Sequence, residues 1–270
     1  MASQQHSRYR RLELAVSQVQ RRWGPRALRL LPQAAPSFPA LPTGFAALDA
    51  ATGIGGFPRG QVTELLGPAT SGKTTIALIA LARAQRCGGI GAYFDLGWTL
   101  DPEYARCCGV DLHRLLIVRP HSGEEALAIA ANLVRRRGLQ LVVFDARPEA
   151  WLPTSPGPER SLALGLRLLS TALAATPCVA LFLTLHEAGQ SLSSALDYPG
   201  QLPLPESAAL RLRVACERWI QRPWADISGY MATIVVAKNR LAAPGRQATV
   251  SITFDGTVRG HSGAWSEDEP

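Results

Sequence analysis

The chain has 270 residues, 47% of them hydrophobic and 18% charged, which is the make-up of a folded protein with one substantial core. Its formal net charge of +7 suits a polyanionic partner such as nucleic acid, but fits an arginine-rich background equally well. Five cysteines without C-x-x-C spacing or a neighbouring His cluster argue against a zinc site and for reduced, buried thiols.

Residues Ser7 to Trp23 place Leu12, Ala15, Val16, Val19 and Trp23 at helical spacing, with Arg8, Arg11, Arg21 and Arg22 opposite and Gly24-Pro25 as a stop. Such a helix must dock its apolar stripe on its own core or on another subunit. The polar, basic start lacks the apolar core of a signal peptide, and no stretch reaches the ~18 apolar residues of a membrane span. A cytoplasmic chain without membrane contact is therefore expected. Pro32, Pro36, Pro39 and Pro42 then mark an extended linker. From Gly44 onward strands and helices alternate. Strands are predicted at Val62–Leu66, Ala92–Asp95, Leu115–Val118, Leu141–Asp145 and Val179–Leu185, with helices at Lys73–Cys87, Gly123–Arg137 and Glu159–Ala175. Short apolar strands alternating with helices imply an α/β fold, a mostly parallel twisted sheet with helices on both faces. The late runs Ala232–Ala237 and Thr249–Phe254 have no helix between them and are expected to extend the sheet antiparallel. The closing Glu267-Asp268-Glu269-Pro270 reads as a disordered acidic tail.

Lys73 and Lys238 are the two lysines of a chain with 26 arginines. The first stands in Gly67-Pro68-Ala69-Thr70-Ser71-Gly72-Lys73-Thr74, a complete G-x-x-x-x-G-K-[ST] loop between a predicted strand and a predicted helix. Successive backbone N–H groups at a helix N-terminus make an anion-binding concavity, and a lysine brings a compact charge to the outer phosphates. The Thr74 hydroxyl would help to hold Mg²⁺. Asp145, ending the apolar run Leu141–Phe144, is the expected second magnesium group, acting through water.

The flanks sharpen this reading. Pro42-Thr43-Gly44, Leu48-Asp49, Gly55 to Gly60 and Gly67 to Thr75 resemble the entry to the RecA recombinase core. So do Asp95, Leu100-Asp101-Pro102, Tyr104-Ala105 and Gly109-Val110, followed by Lys238-Asn239-Arg240-Leu241-Ala242-Ala243-Pro244. Gln18 to Leu30 is similar to that family's polymerisation helix, so the likeness runs from about residue 10 to about residue 255. It implies a RecA-like P-loop NTPase core that binds ATP and Mg²⁺, with Asp101 hydrogen-bonding the adenine, Tyr104 stacking on it, and Thr75 completing the loop. Lys238 and Arg240 would act in trans on the γ-phosphate held by the next subunit. The implied division is a helix for subunit contact at 1–30, the linker at 31–43, the core at 44–258 and the tail at 259–270.

The resemblance also implies two DNA-contacting loops, near Trp151 to Ser161 and His186 to Ser207. They are rich in Pro, Ser and Gly, yet Arg160 is their one basic residue. Arg211, Arg213, Arg218 and Arg222 offer other phosphate contacts, a subunit interface, or simply a solvated face. Two departures bear on catalysis. Gly97 stands where the family has the glutamate that activates water, and His186 stands where it has a γ-phosphate-sensing glutamine. Asp95 or Glu187 are possible substitutes for the missing base. The family's globular C-terminal domain has no counterpart after Phe254. The expected function is ATP binding with weak hydrolysis, self-assembly into a filament or oligomer on single-stranded DNA, and recombinational repair in the DNA-damage (SOS) response. The alternative is an accessory scaffold of the ImuA-like kind, which would meet a translesion DNA polymerase or another repair partner without strand exchange.

Overall fold

Apolar runs with no polar face are satisfied between two helical layers, and most of the predicted strands take that place. The computed structural model describes residues 2–24, 38–152, 159–185, 202–221, 227–254 and 258–262. The chain divides into two compact units, 1–37 and 38–270. The first contains α1 (Ala2–Trp23), which starts earlier than the predicted Ser7 and carries Arg21 and Arg22 in its last turn, where cations suit the carbonyl end of a helix.

The second unit opens with β1 (Ala40–Leu41), α2 (Ala46–Thr52) and β2 (Phe57–Pro58), and β1 pairs antiparallel with β2. Phe38 to Thr43, assigned to the linker above, thus lie within this unit. Thr43 is buried and donates both its N–H and its hydroxyl to Asp49, which anchors the entry. Next come β3 (Val62–Gly67), α3 (Lys73–Arg86), β4 (Ile90–Asp95), α4 (Pro102–Cys107), β5 (Leu115–Val118), α5 (Gly123–Arg135) and β6 (Leu139–Asp145). They are followed by α6 (Glu159–Ala174), β7 (Val179–Leu185), α7 (Leu204–Ser207), β8 (Leu210–Gln221), β9 (Ile227–Asn239), β10 (Gln247–Phe254) and β11 (Val258–Ser262). Predicted and observed ends agree within a few residues. Strand β11 occupies the start of the span read as tail.

Among the described residues the main sheet runs β11-β10-β9-β8-β3-β7-β6-β4-β5. The strands from β8 to β5 are parallel neighbours, and β9, β10 and β11 add antiparallel. The α/β architecture is as expected, and so is the antiparallel extension. The two-residue period of each strand divides its side chains between two cores. Tyr93, Val143 and Leu181 face α3, whereas Phe94, Phe144 and Phe182 face α5 and α6. Phe94, Phe144 and Phe182 stack in a row, with centroids 4.8 and 4.3 Å apart, and Trp151 closes the row beside Phe144. Trp151 is therefore core, although the loop reading began a DNA-contacting segment with it.

The largest correction concerns 210–221. The stretch read as an arginine-bearing face is strand β8, flanked by β3 and β9. Leu210, Leu212 and Val214 are buried in alternation, Arg213 is exposed, and Arg211 is paired with the buried Glu64. Arg222 lies outside the described residues. All five cysteines are free thiols; Cys178 is buried, and burial pushes it up to about 12, while Cys87 is exposed against the expectation of buried thiols. Among the described residues no helix is long and apolar enough to cross a membrane.

Candidate nucleotide site

Strand β3 ends at Gly67, the chain turns through Pro68 to Ser71, and α3 begins at Lys73. Gly72, the residue before the helix, has φ +93°, a conformation open to glycine. A Cβ there would also come within 2.5 Å of the Tyr230 hydroxyl, so both backbone and packing demand the absence of a side chain. Thr70 holds a positive φ of 62° without that freedom, a sign that the loop is held by its surroundings. The Lys73 ammonium donates to the carbonyls of Gly67 (2.7 Å) and Pro68 (2.6 Å) and to the Ser71 hydroxyl (3.2 Å). Burial lowers Lys73 to about 8, with the Asp145 charge opposing the shift. The lysine thus spans its own loop beside the free N–H groups that open α3. This donor set of ammonium, helix N-terminus and hydroxyls matches a polyphosphate.

Asp145 ends β6 and lies in register with Asp95 at the end of β4. Burial raises the Asp145 carboxyl, and a hydrogen bond from the Tyr93 phenol, 2.5 Å from Oδ2, pulls it back. Tyr93 escaped the sequence reading because its partner lies far along the chain and the residue looks like any strand aromatic. Asp95 is fully buried; its Oδ1 accepts from the Thr99 N–H at 2.8 Å and its Oδ2 from Arg119 at 3.3 Å. Arg119 also lies over the Trp98 ring, 4.4 Å from its centroid. Both oxygens of Asp95 are therefore engaged, which removes it as a substitute for the base missing at Gly97. Glu187 lies outside the described residues, as do His186 and most of both proposed DNA loops.

The structure brings Tyr104 to the loop: its hydroxyl shares a 2.7 Å hydrogen bond with Thr75. Asp101 is engaged differently. Its carboxylate caps α4, accepting from the N–H groups of Glu103 and Tyr104, with Pro102 at the first helical position. An open cleft of about 260 Å³ lies beside the loop, bounded by Thr70 to Thr75 on one side and by Tyr104, Trp219, Tyr230 and Phe254 on the other. The last three were not anticipated; nothing in their local sequence distinguishes them from strand aromatics. Lys238 and Arg240 do not join this cleft in their own chain. Lys238 donates to the carbonyls of Pro205 (2.6 Å) and Glu206 (3.2 Å), and Arg240 donates to Glu206 as well. Both cations thereby tie the end of β9 to α7.

Comparison with known proteins agrees with this architecture. The model of the RecA N-terminal domain matches residues 10–259. Protein RecA of Nocardia farcinica is 36% identical over 267 residues, covering 94% of this chain and 77% of the relative. Protein RecA of Salinispora arenicola is 37% identical over 262 residues, covering 92% and 74%. A crystal structure of the RadB recombinase superposes with a TM-score of 0.60 at 23% identity, covering 83% of this chain and all of that one, and so supports the fold. With a family match over nearly its whole length and relatives above one third identity, the chain belongs to the RecA family.

Proposed function

We propose that this protein binds ATP and Mg²⁺ at the Lys73 loop, assembles on single-stranded DNA, and acts in recombinational DNA repair in the cytoplasm. The observation that carries the proposal is Lys73 bridging its own loop at the start of α3, with Asp145 near enough to perturb its charge. Gly67 to Thr75 would surround the phosphates, Lys73 exchanging its carbonyl contacts for phosphate oxygens. Thr74 and the unshared oxygen of Asp145 would hold magnesium, the latter through water, while Tyr93 keeps that carboxylate in place. Bound magnesium supplies charge neutralisation across the outer phosphates. Tyr104 would face the base, and Asp101 would contribute one carboxylate oxygen beyond those serving the α4 cap. Lys238 and Arg240 would reach the γ-phosphate of an adjacent subunit by leaving the α7 carbonyls, and α1 would provide the subunit contact. His186 would sense the outer phosphate.

Hydrolysis is expected to be weak. Gly97 offers no carboxylate, and the oxygens of Asp95 are committed to Thr99 and Arg119. That same commitment favours a second reading, a RecA-like accessory scaffold that meets a DNA polymerase or repair partner and uses ATP to stabilise an assembled state. Electron microscopy with MgATP and single-stranded DNA separates the two. Regular helical filaments are expected for the assembling protein; isolated monomers or dimers on DNA would rule filament formation out.

A further inference from the structure

The far wall of the cleft is aromatic, and its composition follows from strand register. Trp219 on β8 stands directly across from Tyr230 on β9, and Tyr230 lies across from Ile252 of β10, near its terminal Phe254. Trp219 meets Tyr230 edge-on, with centroids 5.8 Å apart, and Tyr230 meets Phe254 at the same distance. The three rings differ in exposure. Tyr230 is 4% exposed, whereas Trp219 keeps half of its surface open at the cleft.

The Tyr230 hydroxyl is the informative atom. It reaches the Gly72 end of the phosphate loop, it is buried, and it makes no hydrogen bond. The neighbouring Thr75 hydroxyl is committed to Tyr104 and only softens the effect of burial, which pushes the phenol up. A buried hydroxyl without a partner is costly, so a purely structural ring at this place is better made by phenylalanine. An exposed indole beside a buried, unpartnered donor is instead the pattern of a pocket that receives a flat, polar ligand.

We infer that Trp219 and Tyr230 make the nucleoside half of this site, Trp219 stacking on the base and the Tyr230 phenol donating to a ligand oxygen where sugar and phosphate chain meet. The inference rests on the proposal that a triphosphate lies at Lys73 and deepens it. The ligand class is a nucleoside triphosphate, recognised by more than its phosphates.

The test is calorimetry with two probes, MgATP and magnesium tripolyphosphate, on the unmodified chain, Tyr230→Phe and Trp219→Ala. Tyr230→Phe is expected to weaken MgATP binding about tenfold, and Trp219→Ala by about five- to a hundredfold. Tripolyphosphate binding should stay unchanged in both. Ligand-free Tyr230→Phe should unfold at the same or a higher temperature, because the change removes an unsatisfied hydroxyl. Unaltered MgATP affinity in both variants would overturn the inference alone, as would an equal loss of both probes. Absence of binding by the unmodified chain to either probe would instead remove the phosphate-site proposal, and the inference with it.

Discussion

Gly97→Glu is expected to raise ATP turnover by about 10²–10⁴-fold, the usual contribution of a positioned general base. The site admits the change. Gly97 does not use the left-handed region, and an added Cβ would find its nearest neighbours at 3.4 Å (Thr99 Cγ2), 3.6 Å (Thr99 Oγ1) and 3.9 Å (Arg147 Cγ), ordinary van der Waals contact. The loop between β4 and α4 already has a fixed frame, because Asp95 grips the Thr99 N–H and Arg119 lies over Trp98. A carboxylate introduced at Gly97 would therefore be carried by a held segment. Phosphate release under saturating MgATP, with and without single-stranded DNA, measures the effect. MgATP affinity should change little, since nothing in the Lys73 loop is touched. Turnover that stays at the level of the unmodified chain would mean that the absent carboxylate does not limit hydrolysis.

Glu64→Ala is expected to cost about 3–5 kcal/mol of stability, the penalty for leaving a buried charge without its partner. Glu64 lies on β3 and is fully buried; Arg211 on β8 is directly across from it, with a side chain 13% exposed. Arg211 Nε donates to Glu64 Oε2 at 2.5 Å, and the Thr184 hydroxyl of β7 donates to Oε1 at 2.9 Å. One carboxylate thus binds three adjacent strands beneath the phosphate loop. Truncating it would leave the guanidinium facing Lys238, whose ammonium is already pushed down by burial and by the charges of Arg240 and Arg211. Denaturant unfolding gives the number. Replacing Glu64 and Arg211 together by methionine should recover most of the loss, because matched apolar side chains avoid the desolvation that the pair requires. A single substitution costing under about 1 kcal/mol would place the pair among surface ion pairs, whose worth is of that order.

These positions also explain how far the sequence could be read. The loop around Lys73 and the strand ending at Asp145 were legible because their chemistry sits in contiguous residues. So were the parallel strands, whose unbroken apolar runs suit burial on both faces. Strand β8 was hidden by its arginines. Leu210, Leu212 and Val214 alternate with Arg211 and Arg213, a period-two signal masked by charge, and the partner that neutralises Arg211 is far away in the chain. Tyr93, Trp219 and Tyr230 were unreadable for a related reason. Each becomes meaningful through a neighbour on another strand, Asp145 for the first and the Gly72 turn for the last. Asp101 illustrates the converse: the resemblance assigns it to adenine, whereas local geometry spends its carboxylate on the α4 cap.

The most direct measurement is titration calorimetry of MgATP into the purified chain and into Lys73→Ala. One binding event in the unmodified chain, weakened about 10- to 150-fold once the charge-assisted contacts of Lys73 are gone, is the predicted result. No heat from the unmodified chain, or equal affinity in the two proteins, would contradict a triphosphate site at Lys73.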